Sequence, residues 1–150
     1  MRESDYGGKV RFRPAQERDF ERIGDKLTNF TQKRGGPDYT PLSTYFMALS
    51  AGEIVGEAIL TQVQEWGTAN LDLLHVAEDR RGQGVGRNLL SAVEDFARSN
   101  GSLFIRLTTP EFQGVGFYEK CGYTEQGERM PTCVTLEGRR QMEATYTKKL

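Results

Sequence analysis

Three glycines fall within five positions of the chain, at Gly82, Gly84 and Gly86. They lie in the segment RRGQGVG, which follows the apolar run LDLLHVA and precedes RNLLSAVEDFAR, a segment with helical periodicity. A strand that enters a glycine-rich turn and then a helix directs several backbone N–H groups, and the positive end of the helix dipole, at one place. The pattern predicts a phosphate-type anion site to which Arg81 and Arg87 add charge, with a tight turn that binds nothing as the alternative.

Two ionisable side chains interrupt the apolar strand before this turn. Asp72 lies in the middle of the strand, where burial would raise the pKa of its carboxyl group toward a range useful to a general base. A carboxylate that pairs with an arginine or faces solvent is the alternative. His75 is the only histidine of the chain, and imidazole has a suitable pKa. Because a regular strand would point the two side chains to opposite faces, we interpret His75 as part of the core or of a cleft wall.

The composition excludes several classes of protein. The chain has 150 residues, 37% of them hydrophobic, and a formal net charge of -1, which predicts one domain over residues 1–150 and no nucleic-acid partner. A charged amino-terminal segment and the lack of a long apolar span predict a cytoplasmic protein that does not contact membranes. One histidine and two cysteines, Cys121 and Cys133, are too few for a four-ligand zinc site, so no metal is expected.

The hydrophobic pattern predicts the elements that must position these residues. A strand at VRFRP is followed by a helix that begins near Pro14, and residues 31–43 form a loop. A hairpin that turns at SAGE and a strand at ANLDLLHVA come next. The glycine-rich turn then opens a helix that ends at Asn100 and Gly101, followed by a strand at SLFIRLTT, a short helix at FQGVGFYEKC and further strands. The first helix, which begins near Pro14, has a predicted apolar face made of Phe20, Ile23, Leu27 and Phe30.

Two segments resemble the signatures of one enzyme superfamily. LDLLHVAEDRRGQGVGRNLLSAVEDFARSNG, with its Arg81-x-x-Gly84-x-Gly86 pattern, resembles motif A of the GNAT superfamily of acyl-CoA-dependent N-acyltransferases. GFYEKCGY resembles motif B of the same superfamily, and the likeness covers about residues 70–126. The resemblance implies an α+β fold, which some schemes class as α/β. Its mixed central sheet of six to seven strands would be flanked by about four helices and splayed between the fourth and fifth strands.

The resemblance also implies acetyl-CoA as the cosubstrate. Residues 81–87 would hold its pyrophosphate through main-chain N–H groups, and the strand edge at residues 74–76 would pair with the amides of the pantetheine arm. Many members have an asparagine where this chain has Glu111, which leaves Thr109 and Gln113 as nearby alternatives for a side-chain contact. The residues expected to bind the cosubstrate are Leu74, His75, Val76, Arg81, Gly82, Gln83, Gly84, Val85, Gly86, Arg87, Thr109, Gln113 and Phe117.

The catalytic residues implied are Tyr118 and Asp72. Tyr118 matches the motif B tyrosine that the superfamily uses beside the sulfur of coenzyme A. A thiol pKa near 8.5 and a phenol pKa near 10 favour a hydrogen bond to the developing thiolate over complete proton donation. Packing in the core beside Phe117 is the structural alternative. Asp72, or a water relay, would serve as the general base for the acceptor amine.

The acceptor is predicted only as a class, an amine of a small molecule or peptide. The first helix, the loop over residues 31–43 and the segment over residues 127–140 flank the cleft in the superfamily's fold. Arg129, Arg139 and Arg140 would suit an acidic group on the acceptor, or they form a solvated turn. A different acyl donor, a hydroxyl acceptor and a non-catalytic acyl-CoA sensor are the functional alternatives. Both a monomer and a homodimer are compatible with the sequence.

Overall fold

A computed structural model describes residues 5–6, 10–11, 16–35 and 40–150 of the chain. It divides into two units, residues 1–39 and 40–150. In the first unit, β1 (Asp5–Tyr6) pairs antiparallel with β2 (Val10–Arg11), and α1 spans Phe20–Lys33. The predicted strand therefore extends at least over residues 10–11, while Pro14 and the side chains of Leu27 and Phe30 lie outside the described residues.

The predicted apolar face of α1 is not buried at the two positions that can be described. Phe20 is 60% exposed and Ile23 is 49% exposed. The connection after α1 is shorter at both ends than the loop predicted for residues 31–43, because α1 continues to Lys33 and the next strand begins at Pro41. Apolar periodicity identifies a face of a helix, but it does not specify a partner for that face or the residue at which the helix ends.

A six-stranded mixed sheet forms the second unit. Its strands are β3 (Pro41–Ser50), β4 (Glu53–Val63), β5 (Thr68–Val76), β6 (Phe104–Pro110), β7 (Thr124–Val134) and β8 (Arg140–Lys149). Their order across the sheet is β3-β4-β5-β6-β8-β7, and β5–β6 is the parallel pair. The predicted hairpin is present, with its turn at Ala51 and Gly52 between β3 and β4.

Two helices, α2 (Val85–Ser99) and α3 (Glu111–Lys120), pack on the same face of this sheet. The buried side of α2 consists of apolar residues at helical spacing, including Leu90, Val93 and Ala97. Lys148 of β8 bonds both to Glu94 of α2 and to the carbonyl oxygen at the end of α3, which ties the helices to one face. The described residues thus contain three α-helices rather than the four expected.

A β-bulge in β5 changes the direction of its side chains. Ile59 of β4 is opposite Leu73 and Leu60 is opposite Leu71, so Asp72 has no partner of its own in β4. The extra residue shifts the alternation by one position. Asp72 and His75 consequently lie on the same face, opposite α2 and α3, and the prediction that they point to opposite faces is wrong. A single sequence gives no sign of this bulge, since every residue around it suits a strand.

The sheet is splayed between β5 and β6. These are the strands predicted at ANLDLLHVA and SLFIRLTT, the fourth and fifth strands of the sequence prediction, so the predicted splay is present. Thr68, Ala69 and Asn70 pair with residues 104–106 of β6, and the pairing stops there. β5 continues along β4 to Val76, while β6 continues along β8 to Pro110. A gap therefore opens between the two strands beyond Asn70 and Arg106.

Candidate functional site

The edge of β5 that faces the gap is a place where a ligand could add as a strand. From Leu74 to Val76, β5 pairs with residues 56–58 of β4 on its other edge. On the gap side, no strand in the described part of the chain pairs with β5 after Asn70. Peptide-like amides bind to such an edge through main-chain hydrogen bonds. The main-chain groups of this edge are thus free for the ligand arm that the sequence predicts, and the pantetheine site itself stays a prediction.

The turn after β5 exposes the amino-terminal N–H groups of α2. The first helical bond runs from the Asn88 N–H to the Gly84 carbonyl, at 3.0 Å, so the N–H groups of Val85, Gly86 and Arg87 precede the helical ladder. Gly84 caps the helix without a side chain, at φ 86°. These amides and the helix dipole suit an anionic group such as the pyrophosphate of coenzyme A.

The glycines of the turn have two different functions. Gly82 and Gly84 have φ values of 72° and 86°, and a Cβ atom at either would meet nothing within 4 Å. Both positions therefore need glycine for the backbone conformation and leave open space beside the helix terminus. Gly86 has an ordinary helical φ, and a Cβ there would lie 3.4 Å from Val76 and 3.5 Å from Phe117. Its role is close packing of α2 on its neighbours.

Two polar side chains of the turn fold back onto the protein. Arg81 Nε donates to the Val76 carbonyl oxygen at 3.1 Å, and Gln83 Nε2 donates to the Asp79 carbonyl oxygen at 2.9 Å. Arg81 thus closes the turn onto β5 in addition to supplying charge, which the sequence did not predict. Arg87 is exposed and lines a cavity of about 340 Å³ with Lys120 and other residues of α2, α3 and β8.

Tyr118 lies in the core, on the face of the sheet that carries α2 and α3. It is 7% exposed, and its ring packs against Phe117, Tyr123 and Tyr146 at centroid distances of 5.1, 5.7 and 5.9 Å. Burial, with a smaller contribution from Cys121, raises the pKa of Tyr118 to about 12. Gly114, one turn earlier in α3, makes room for the ring. Tyr118 is therefore a core residue packed beside Phe117, as the structural alternative predicted, and its role beside the sulfur stays a prediction.

Asp72 is exposed rather than buried, so the burial on which its predicted role depended is absent. Its carboxylate instead accepts two hydrogen bonds. Thr61 Oγ1 donates to Oδ2 and Asn70 Nδ2 donates to Oδ1, each at 2.5 Å. Asp72 alternates with the buried Leu71 and shares the exposed face with Asn70, which places it beside the polar residues of β4 and β5.

His75 is not a core residue either. Its side chain is 53% exposed, and Nδ1 lies 3.8 Å from Oε1 of Glu57 on β4. Thr109 is buried at the end of β6, and Gln113 is exposed on α3. Phe117 lies between α2 and Tyr118. The predicted cosubstrate residues are therefore distributed over the β5 edge, the turn, the end of β6 and α3, and the gap opens between β5 and β6.

Glu111, which stands where many members of the GNAT superfamily have asparagine, forms an ion pair with Arg129. Arg129 Nη1 donates to Glu111 Oε1 at 2.8 Å, while its Nε and Nη2 donate to the two carboxylate oxygens of Glu125. These bonds lower the pKa of Glu125. Arg129 is thus engaged by two carboxylates, which opposes the alternative in which it binds an acidic group of the acceptor. Arg139 is 3.7 Å from Glu137 in the β7–β8 turn.

The cysteines give no support for a covalent mechanism. Burial raises the pKa of Cys121, which opposes formation of a nucleophilic thiolate. Cys133 is an exposed free thiol. Among the described residues, no group of three or more His, Cys, Asp or Glu side chains is placed to hold a metal ion. No helix in that part of the chain is long and apolar enough to cross a membrane.

Sequence reasoning missed Thr61 and Asn70. Both were assigned only to strands, although they are polar residues within apolar segments. Their polarity was a signal that this face of the sheet differs from the one under α2 and α3. The pairing of β4 with β5, which brings both side chains to Asp72, is not visible in the sequence.

The fold agrees with that of known proteins. Residues 41–125 match the family model for the acetyltransferase (GNAT) domain. The blasticidin-S acetyltransferase of Streptomyces morookaense is 35% identical over 86 residues, which are 55% of this chain and 62% of that protein. The chain thus matches less than two thirds of this curated relative.

Two solved structures share the fold. An acetyltransferase from Bacillus cereus ATCC 14579 superposes with a TM-score of 0.72 at 24% identity, over 93% of this chain and 96% of that one. A protein described as a streptothricin acetyltransferase of Bacillus anthracis strain Ames, solved in complex with acetyl coenzyme A, gives a TM-score of 0.60 at 22% identity, over 74% of this chain and 64% of that one. The chain belongs to the GNAT acetyltransferase family, as the two sequence motifs predicted.

Proposed function

We propose that this protein transfers the acetyl group of acetyl-CoA to an amino group of a small molecule or peptide. The observation that carries the proposal is the unpaired β5 edge, which leads past Val76 into a turn that exposes the amide groups of α2. Family membership supports the same reaction class, and one relative of the same fold was solved with acetyl coenzyme A.

The residues present fit this cosubstrate. The amides of residues 85–87 and the open space at Gly82 and Gly84 would accept the pyrophosphate, while residues 74–76 would pair with the pantetheine amides. Thr109, Gln113 and Phe117 lie on or beside α3, where they would contact the end of the arm. When bound, acetyl-CoA supplies an activated acetyl group as a thioester.

The chain offers one group on each face of the sheet. Tyr118 belongs to the face that carries α2 and α3, and Asp72 belongs to the opposite face. An amine that enters from the Asp72 side would meet a carboxylate that holds its ammonium form and accepts a proton, directly or through water. Tyr118 would act on the sulfur from the other side. In direct transfer the amine nitrogen bonds to the carbonyl carbon, and the C–S bond then breaks to release the thiolate of coenzyme A. Separate groups can therefore serve the nitrogen and the sulfur, which this division supplies.

The raised pKa of Tyr118 defines its role. Complete proton transfer from a phenol with a pKa of about 12 to a thiolate with a conjugate pKa of about 8.5 is uphill by about 5 kcal/mol. A hydrogen bond donated to the sulfur has no such cost and stabilises the departing charge. Tyr118 is therefore a hydrogen-bond donor to the leaving group, and solvent completes the protonation.

The acceptor class is inferred from the relatives. The matched curated protein is named for acetylation of blasticidin S, a small molecule, and the structural relative is named for streptothricin. The exposed position of Asp72 suits a polar, cationic acceptor that approaches from solvent.

The reaction is tested by measuring release of free thiol from acetyl-CoA across a panel of amines, polyamines, aminoglycosides, blasticidin S and peptides. We expect turnover with at least one amine, and mass spectrometry should show that the product gains one acetyl group. Tight binding of coenzyme A without turnover on any acceptor would overturn the enzyme assignment and favour a sensor. Turnover with a hydroxyl compound alone would exclude the amine acceptor.

The turn is tested with Gly84→Glu. A carboxylate in the open space beside the amides would repel and displace the pyrophosphate, so the thermal shift that coenzyme A produces should disappear. Gly101→Glu is the matched control. Gly101 also has a positive φ, 85°, with nothing within 4 Å of a Cβ, but it lies at the carboxyl end of α2. A thermal shift that persists in Gly84→Glu, or is lost equally in both variants, would contradict the site.

A further inference from the structure

A row of polar side chains crosses the sheet where β5 and β6 separate. Ser43 of β3 is opposite Thr61 of β4, Thr61 is opposite Asn70 of β5, and Asn70 is opposite Arg106 of β6. The pair formed by Asn70 and Arg106 is the last one before the gap. Asp72 lies two residues beyond Asn70, so the row ends beside the carboxylate at the closed end of the gap.

Two residues of the row donate hydrogen bonds to the two oxygens of the Asp72 carboxylate. Thr61 Oγ1 donates to Oδ2 from the neighbouring strand, and Asn70 Nδ2 donates to Oδ1 from the same strand. Ser43 Oγ lies 2.9 Å from Thr61 Oγ1. A threonine hydroxyl has a single proton, which Thr61 gives to Asp72, so Ser43 must be the donor in the second bond. Hydrogen-bond donation therefore runs from Ser43 to Thr61 and from Thr61 to Asp72.

These bonds restrict a side chain that would otherwise rotate. Asp72 is exposed and has no partner residue in β4, because it is the extra residue of the bulge. One donor on each oxygen fixes both the position and the plane of the carboxylate. Thr61 is well suited to this purpose, since it is half-buried and a β-branched side chain has few rotamers in a strand.

We propose that Thr61 and Asn70 are positioning residues that hold the Asp72 carboxylate in one orientation, on the exposed face of the sheet beside the start of the gap, to receive the acceptor amine. The inference rests on the proposed function, because it assigns the two residues to the acceptor side of that reaction. They act through Asp72 and do not touch the acetyl group. The bond geometry and the location of the row at the start of the gap carry the inference.

The test is steady-state kinetics of Thr61→Val and Asn70→Ala with the panel amine that gives the fastest turnover. Each variant should lower kcat/KM for the amine about ten-fold, while the KM for acetyl-CoA stays within two-fold of the wild type. Thr61→Ser should restore activity, because it returns the hydroxyl. Thr147→Val is the matched control, since Thr147 is a half-buried threonine opposite Arg106 on β8 with no bond to Asp72, and it should retain wild-type kinetics.

A double-mutant cycle separates this inference from the proposed function. In an Asp72→Asn background, Thr61→Val should cause no further loss, because the group that it positions has already been removed. If Asp72→Asn is slow while Thr61→Val and Asn70→Ala match the wild type, the positioning inference alone is wrong. If Asp72→Asn itself has wild-type kinetics, the proposed role of Asp72 fails and the inference fails with it. Equal losses in Thr147→Val and Thr61→Val would indicate a general structural effect and would also overturn it.

Discussion

At the scale of single residues, the site combines two polar groups whose surroundings differ sharply. Tyr118 is enclosed by three aromatic rings and its pKa is raised, whereas Asp72 is exposed and held by hydrogen bonds. Among the described residues, the Tyr118 hydroxyl has no hydrogen-bond partner, so it is available to a ligand. The proposed partner is the sulfur of coenzyme A.

Tyr118→Phe should lower kcat at least ten-fold and leave the Kd of acetyl-CoA nearly unchanged, because a donor to the leaving group acts mainly in the transition state. Kinetics and calorimetry measure the two quantities. Tyr123→Phe provides the control, since Tyr123 is a buried neighbour whose hydroxyl makes no well-oriented hydrogen bond. Its kcat should stay within two-fold of the wild type. An equal loss of affinity and rate in Tyr118→Phe would refute the assigned role.

At the scale of elements, α3 is held at two points that affect Tyr118. Arg129 of β7 binds Glu111 at the start of the helix, and the aromatic rings hold its last turn. Between these points, Gly114 leaves room for the Tyr118 ring. A Cβ at Gly114 would lie 3.2 Å from Cε2 of that ring, a distance that requires something to move. The surrounding rings leave Tyr118 little freedom to do so.

Gly114→Ala and Gly116→Ala should therefore have different effects, although each replaces a glycine in the same helix. Alanine is favoured over glycine in a helix by about 1 kcal/mol. A Cβ at Gly116 meets nothing within 4 Å, so Gly116→Ala should raise the melting temperature by about 2–4 °C with unchanged kcat. Gly114→Ala should show less or no stabilisation and a several-fold lower kcat. Identical melting temperatures and rates for the two variants would show that the ring is not confined.

At the scale of the whole molecule, the second unit is held together by a core that contains three tyrosines, Tyr118, Tyr123 and Tyr146. Burial is the main cause that raises the pKa of Tyr118 and Tyr146 to about 12, and it also raises the pKa of Tyr123. The core therefore depends on protonated phenols. In an unfolded chain these groups would ionise near pH 10.

Stability should consequently fall as the pH rises above about 10. A folded-state pKa above the unfolded value means that the folded protein binds more protons between pH 10 and 12, so this contribution is complete below pH 10 and is lost on further titration. Circular dichroism and phenolate absorbance, followed together from pH 9 to pH 12, test this. We expect three of the six tyrosines to ionise only as the protein unfolds. Ionisation of all six with native circular dichroism at pH 10.5 would contradict it.

The sequence by itself determined the family, the order of the elements in the second unit, the splayed sheet and the location of the glycine-rich turn. These features depend on short-range patterns, such as hydrophobic period, turn residues and two contiguous motifs, that survive without knowledge of contacts. Other features remain predictions, namely the acetyl donor, the acceptor class, the single domain, the cytoplasmic location and the oligomeric state.

Only the tertiary structure decided the surroundings of the site residues. One extra residue in β5 placed His75 on the exposed face that Asp72 occupies, which no regular alternation would predict. Pairing between strands then brought Thr61 and Asn70 to the Asp72 carboxylate, and Arg129 to Glu111 from a distance of 18 positions in the chain. Strand register and side-chain burial arise from contacts between segments that are distant in the chain. Residue types alone therefore suggest candidate catalytic groups, but they do not determine which of those groups are buried.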